Sequence, residues 1–214
     1  DRPATAKVER ATTLSISLGP SMSDVVLPLL ECVGPKPEGE RPALYACEND
    51  HDAVHKLEEA LAGRVDVVSC MVDRICTERR ITADWIEMGT EPSSGEIVVI
   101  APPPLAPLPP FKGKHVQIPR IPAEAEYFCR RKILLVNGMH TTLAFLTLCK
   151  RESGSLQGDG WKEHILVTPA TATEEENALV WRWAVARVMY VMWEHEPDII
   201  KAAHDIQTDE EVRR

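Results

Sequence analysis

The sequence predicts an α/β region followed by an all-α region. Apolar strand patterns alternate with helical patterns from residue 12 to about 80, a proline-rich run occupies 102–110, and helical patterns predominate from residue 123. Alternation of strands with helices is typical of a layered fold with a parallel sheet. We therefore expect one domain over 1–122, with added strands and a proline-rich connector, and a helical domain over 123–214.

The first domain contains four predicted strands and two predicted helices. Apolar runs rich in β-branched residues predict the strands, which are Thr13–Leu18, Ala43–Cys47, Val65–Val72 and Glu96–Ala101. Apolar residues at nearly helical spacing predict helices between the first three strands, at Ser21–Cys32 and Asp50–Ala62.

The run Pro102–Pro110 cannot form a helix or a central strand, because each proline lacks a backbone donor and restricts φ. It predicts an extended connector. Its PxxP spacing would also suit an SH3-like domain, although an ordered or exposed loop is the simpler interpretation.

The second domain begins with a helix that follows Pro122 and carries acidic residues in its first turn. This helix is expected to continue to Cys149, and its nearly continuous apolar stretch Ile133–Leu148 predicts burial inside a helical domain. A further helix is predicted from Thr173 through Trp193, and a short one after Pro197. Three tryptophans in this part fit a core at helical spacing, whereas their exposure would indicate an interaction surface; they are Trp181, Trp183 and Trp193.

The composition of the chain limits the classes of binding partner that we expect. A net charge of −9 argues against nucleic acid or an anionic membrane as the main partner, and a small molecule or another protein fits better. The chain has neither a signal-peptide start nor an apolar run of about 18 residues, so we expect an intracellular protein, cytoplasmic or in an organelle. Six cysteines without a CxxC pair predict reduced thiols: Cys32, Cys47, Cys70, Cys76, Cys129 and Cys149.

Three polar residues interrupt the apolar helix. At about 100° per residue, Asn137 lies about 140° and His140 about 80° from Lys132, within about 12 Å along the axis. One substrate could touch all three. The same residues also fit a solvated basic helix end, a local kink at Asn137 and a satisfied core histidine, and the spacing alone does not decide between these interpretations.

Two predicted strands end in polar residues. The second is followed by Cys47-Glu48-Asn49 and the third by Val72-Asp73-Arg74-Ile75. Ligands of open α/β sheets bind at the carboxyl ends of the strands. Both segments therefore stand where a binding site is expected.

These motifs together resemble the polyol-specific long-chain dehydrogenases, which include mannitol 2-dehydrogenase and mannitol-1-phosphate 5-dehydrogenase. The family carries a Lys-x4-Asn-x2-His helix, matched at Lys132–His140, and strand ends matched at Cys47–Asn49 and Val72–Ile75. Ser17–Pro20 is similar to a Val-Gly-Pro turn of its cofactor domain. The resemblance spans about residues 12–195 and implies an incomplete Rossmann-like part followed by a helical domain like that of 6-phosphogluconate dehydrogenase.

The resemblance implies a metal-independent oxidoreductase that uses NAD or NADP to interconvert a mannitol-like polyol, phosphorylated or not, and a ketose. Lys132 would be the general base, and Asn49 and Asn137 would donate hydrogen bonds to the developing alkoxide. His140 and Asp73 would bind substrate hydroxyls. Gly19, together with Asn49, would contact the cofactor. Arg74 would either serve the site or pair a carboxylate structurally.

The sequence departs from this family at the cofactor site. It has no G-x-G-x-x-G fingerprint and no acidic residue placed to hold the ribose, both of which the family carries before the equivalent of residue 12. We therefore expect either a piece of a longer protein or a natural truncation. The alternative function is that of a non-catalytic relative acting as a binding or scaffold module.

Overall fold

The computed structural model describes residues 2–74, 76–90, 95–100, 102–150 and 172–212. It divides into two compact units, an α/β unit (Asp1–Ala125) and a helical unit (Glu126–Arg214). This confirms the α/β region and the helical C-terminal region at the level of fold class. Ile75, Ala101 and the polar segment 152–160 lie outside the described residues.

The sheet of the α/β unit is mixed and has the order β1-β2-β3-β6-β7. Its strands are β1 (Thr13–Ile16), β2 (Ala43–Cys47), β3 (Asp66–Val72), β6 (Ile97–Val99) and β7 (Val116–Gln117). Strands β1, β2 and β3 are parallel, β6 is antiparallel to β3, and β7 is parallel to β6. A separate antiparallel hairpin consists of β4 (Cys76–Ile81) and β5 (Ile86–Thr90).

One face of this sheet is covered by helices α2 (Met22–Leu30) and α3 (His51–Leu61). Leu57 and Leu61 are fully buried there against the strands, and each such side chain contributes about 1.5–3 kcal/mol. Asp50 caps α3, since its carboxylate accepts a hydrogen bond from the Ala53 amide at 3.0 Å. These helices match the predicted ones to within two residues at each end.

The proline-rich connector packs on the other face. Ala106 and Phe111 pack against a buried cluster that includes Tyr45 and Cys70. The Tyr45 hydroxyl donates to the Pro107 carbonyl at 2.5 Å, and the Tyr45 and Phe111 rings meet edge to face at 5.8 Å. The connector therefore covers the face of the sheet that a second layer of helices covers in a doubly wound fold.

The helical unit contains most of one long helix, formed by α4 (Pro122–Arg131), a π-helical segment (Lys132–Asn137) and α5 (Gly138–Lys150). Among the described residues after it, three more helices follow: α6 (Glu174–Glu194), α7 (Pro197–His204) and α8 (Asp209–Val212). A capping box between Thr173 and Glu176 begins α6.

Polar contacts hold α6 to the long helix. Arg130 donates two hydrogen bonds to the Glu194 carboxylate, at 2.7 and 3.0 Å. Arg187 donates to the Thr142 hydroxyl at 3.0 Å and lies against Gly138, where a Cβ atom would meet the Arg187 Nε at 3.0 Å. Gly138 thus allows α6 to approach closely.

The predicted burial of Ile133–Leu148 is wrong. Ile133, Phe145 and Leu148 are 46%, 63% and 50% exposed, because α6 covers only part of the circumference of this helix among the described residues. Segment Pro122–Cys149 is long and apolar enough to cross a membrane, with a mean hydropathy of 1.3 in an 18-residue window of which 11% is buried. A core helix of a soluble protein passes the same test of length and composition, but such a helix is mostly buried.

The predicted core position of the tryptophans is also wrong. Trp181, Trp183 and Trp193 are 71%, 51% and 79% exposed. Apolar residues recur almost all round α6, so a single packed face leaves some of them in solvent.

Candidate functional site

A cavity of about 710 Å³ lies at the carboxyl ends of the parallel strands of the α/β unit. One wall is formed by residues that end β1, β2 and β3 or follow them, including Cys47–Asn49, Val72 and Arg74. The other wall comes from the start of β6 and from segment Lys112–Val116. Both strand-end motifs predicted from the sequence therefore reach one cavity.

Glu48 fixes the turn that follows β1. Its carboxylate is buried and accepts hydrogen bonds from the backbone amides of Leu18 and Gly19, the latter at 3.0 and 3.1 Å. Gly19 has a φ of 64°, which favours glycine over residues with a Cβ atom. The amide of Gly19, which the resemblance implies for the cofactor, is here bound by Glu48.

Asn49 and Arg74 both line the cavity and are exposed. Arg74 donates a hydrogen bond to the Thr90 hydroxyl at 2.6 Å. Asp73 is half-buried and is not among the residues that line the cavity, and its amide donates to the Glu96 carbonyl at 2.8 Å. Gly95 makes this close approach possible, because a Cβ atom there would lie 1.7 Å from the Asp73 carbonyl oxygen.

The far wall of the cavity carries residues that the sequence analysis did not select. Lys112, Lys114 and His115 line it, as does Glu96. With Arg74, the two lysines give the lining three permanent cations against the carboxylates of Glu48 and Glu96, in a chain whose net charge is −9. The basic cluster immediately after the proline-rich run was the available signal.

The three candidate residues of the long helix differ in burial. Lys132 is buried at the first position of the π-helical segment, whereas Asn137 and His140 are exposed. Burial raises the pKa of the Cys129 thiol, and the nearby charge of Lys132 acts in the opposite direction.

The π-helical segment corrects the predicted spacing. The Gly138 amide donates to the Ile133 carbonyl five residues earlier, as in a π-helix, so the angle calculated for an ordinary α-helix does not apply. A helix with i→i+5 bonds has more residues per turn than an α-helix. The angle about the helix axis between Asn137 and Lys132 is therefore smaller than the predicted value of about 140°. Segments of this kind occur frequently at functional sites.

The described residues include no group of three or more His, Cys, Asp or Glu side chains arranged to hold a metal ion.

Searches of protein-family models and of curated proteins found no match to this chain. The resemblance to polyol dehydrogenases therefore depends on the motifs alone.

Proposed function

We propose that the chain belongs to an NAD- or NADP-dependent oxidoreductase that interconverts a polyol and a ketose, with Lys132 as the general base. The observation that carries this proposal is that residues of both strand-end motifs line one cavity, Cys47-Glu48-Asn49 from the first and Val72 and Arg74 from the second. Its position at the carboxyl ends of β2 and β3 is typical of ligand sites in open α/β sheets. The proposal includes a Rossmann-like fold for the α/β unit and, for the helical unit, a fold like that of the helical domain of 6-phosphogluconate dehydrogenase.

The cavity has the size and chemistry for a polar small molecule. Ligand pockets usually measure about 300–1,000 Å³ and contain a few directed polar groups. An Asn49 amide can donate to one substrate oxygen. Asp73, which the resemblance implies as the acceptor from a substrate hydroxyl, stands in the sequence between the lining residues Val72 and Arg74. The cations Lys112 and Lys114 favour a substrate that carries phosphate.

The roles within the long helix follow the resemblance. Lys132 would accept the hydroxyl proton, Asn137 would donate to the developing alkoxide, and His140 would bind a neighbouring hydroxyl. Lys132 is buried, which is compatible with the first role.

A bound nicotinamide would supply the hydride acceptor. The cavity is large enough for the nicotinamide end of a dinucleotide, and Asn49 could donate to it. The glycine-rich turn that would hold the pyrophosphate does not occur in the sequence, and the Gly19 amide is bound by Glu48. The fit is therefore limited to the nicotinamide end.

The proposal is tested by following reduced nicotinamide in absorbance while polyols, ketoses and their phosphates are screened with the chain and with the longest reading frame that contains it. We expect turnover with a polyol–ketose pair, and a preference for the phosphorylated form that Lys112→Ala and Lys114→Ala reduce. Absence of turnover in a folded reading frame that includes a glycine-rich strand–turn–helix would contradict the proposal.

A second candidate function is protein interaction through the helical unit. Its support is the exposure of Trp181, Trp193 and Phe145, since aromatic residues are enriched at the centres of protein interfaces. This function corresponds to the interaction surface that exposure of the tryptophans would indicate, and it is distinct from the non-catalytic scaffold alternative. Light scattering coupled to gel filtration tests it: self-association of wild type that Trp181→Ser and Trp193→Ser abolish would support it, and a monomer at all concentrations would oppose association between copies.

A further inference from the structure

Two cysteines lie side by side on adjacent parallel strands of the α/β unit. Cys47 ends β2 and is paired in register with Cys70 of β3. Side chains at paired positions project from the same face of a sheet, and both cysteines belong to the cluster beneath the proline-rich connector. Both thiols are free.

The two thiols differ in access. Cys47 is half-buried and lines the 710 Å³ cavity, so a small molecule in the cavity can contact this residue. Cys70 is fully buried, and its sulfur lies 3.8 Å from the Val68 carbonyl oxygen. The pair therefore has one thiol that can meet a reagent and one that can meet only its neighbour.

The surroundings of Cys47 also favour its thiolate. A hydrogen bond with the Cys70 thiol lowers the pKa of Cys47 to about 7, and the Ser15 hydroxyl, 3.8 Å from the sulfur, acts in the same direction. The hydrogen bond to Cys47 and burial raise the pKa of Cys70. Thiolates, rather than thiols, are the form that peroxides oxidise.

We propose that Cys47 is a site of oxidation by hydroperoxides and that Cys70 resolves the product into a reversible Cys47–Cys70 disulfide. The Cys47 thiolate attacks one oxygen of hydrogen peroxide, the O–O bond breaks, and hydroxide leaves to give a sulfenic acid. The Cys70 sulfur then attacks the Cys47 sulfur, the S–O bond breaks, and a second hydroxide leaves. With the two thiol protons these become two waters, so the thiols lose two electrons and the peroxide gains them.

The sheet is compatible with the bond. Neighbouring strands lie about 4.7–4.9 Å apart, and disulfides join Cα atoms separated by about 4.4–6.8 Å, so β2 and β3 need not separate. The disulfide would fix Cys47 beside Glu48 and Asn49 in the cavity wall. This inference does not depend on the proposed oxidoreductase activity.

The test uses the whole chain. It is treated with hydrogen peroxide in modest molar excess, the remaining thiols are alkylated, and the protein is cut with trypsin and a glutamate-specific protease. These enzymes release Cys47 in peptide 41–48 and Cys70 in peptide 65–74, each with a single cysteine. We expect a linked 41–48/65–74 pair that dithiothreitol separates.

Variants assign the order of the two steps. In Cys70→Ser the sulfenic acid at Cys47 should persist and react with dimedone, whereas Cys47→Ser should leave Cys70 unoxidised. Cys32→Ser is the matched control, since Cys32 is also half-buried in the α/β unit but its thiol donates to the Leu29 carbonyl at 3.2 Å. It should form the linked pair as wild type does. The wild-type experiment needs no variant to fold, and oxidation of Cys32 before any linked pair appears would overturn the proposal.

Discussion

Replacement of Gly95 by alanine should displace the segment that contains Asp73 and that brings Arg74 to the cavity. The new Cβ atom would lie 1.7 Å from the Asp73 carbonyl oxygen, and Cβ contacts under 3.0 Å are essentially never found. The two segments must therefore separate until the distance between this Cβ atom and the Asp73 carbonyl oxygen is at least 3.0 Å. The hydrogen bond from the Asp73 amide to the Glu96 carbonyl, now 2.8 Å long, would be strained or broken.

A backbone hydrogen bond contributes a net of about 0.5–1.5 kcal/mol and this one is half-buried, so we expect Gly95→Ala to lower the free energy of unfolding by about 1 kcal/mol. Urea unfolding followed by far-ultraviolet circular dichroism measures this change. Gly34→Ala is the matched control, because a Cβ atom at Gly34 meets nothing within 4 Å and its φ is not positive. A Gly95→Ala protein as stable as Gly34→Ala would refute this account of the cavity wall.

Three further outcomes are expected. Arg130, through its hydrogen bonds, holds the pKa of Glu194 below its ordinary value of 4.5. The stabilisation that this ion pair gives to the folded protein is therefore complete above pH 4.5, and it is lost as the pH falls through the lower pKa that Glu194 has in the folded state. Glu194→Gln should therefore lose less Tm than wild type between about pH 6 and about pH 3, and equal losses would contradict this. Alkylation of Cys47 by iodoacetamide, quantified on peptide 41–48, should reach half its maximal rate near pH 7; a midpoint above pH 8 would contradict the described thiol pair. Trp181→Ser should change the free energy of unfolding by less than about 0.5 kcal/mol, whereas a loss of several kcal/mol would return Trp181 to a core.

The parallel strands were the most predictable part of the fold. Strand β2 is buried on both faces and every residue of β3 is buried or half-buried, so the sequence shows them as short, mostly apolar runs between turn signals. The hairpin β4–β5 was not predicted, because its exposed strands carry residues such as Arg79 and Arg80 without apolar alternation. Helix α1 (Arg2–Arg10) and the two-residue strand β7 gave no apolar signal either.

The helical unit shows where periodicity fails. The apolar sequence predicts that Phe145 and Trp181 are buried, but a side chain is buried only where another element packs against it. The sequence of one helix does not show which of its sides another element covers, and both residues are exposed. The π-helical segment from Lys132 to Asn137 has ordinary helix-forming residues, so nothing in the sequence separates it from the flanking turns.

The candidate site was predictable in part. Asn49 and Arg74 could be placed at one sheet edge because parallel strands share their carboxyl ends. Lys112 and Lys114 could not, since the proline-rich connector that returns them to this edge has no regular period. The pairing of Cys47 with Cys70 depends on strand register, which two separate apolar runs do not reveal.

The most direct test of the proposed chemistry is the turnover number of Lys132→Ala beside that of Lys56→Ala, an exposed lysine on α3, in whichever form of the protein turns over a polyol. We expect Lys132→Ala to lose about 10²–10⁴-fold in kcat, to regain part of it when a small primary amine is added, and to keep the wild-type circular dichroism. Lys56→Ala should match wild type. Undiminished turnover by folded Lys132→Ala would contradict the assignment of Lys132 as the general base.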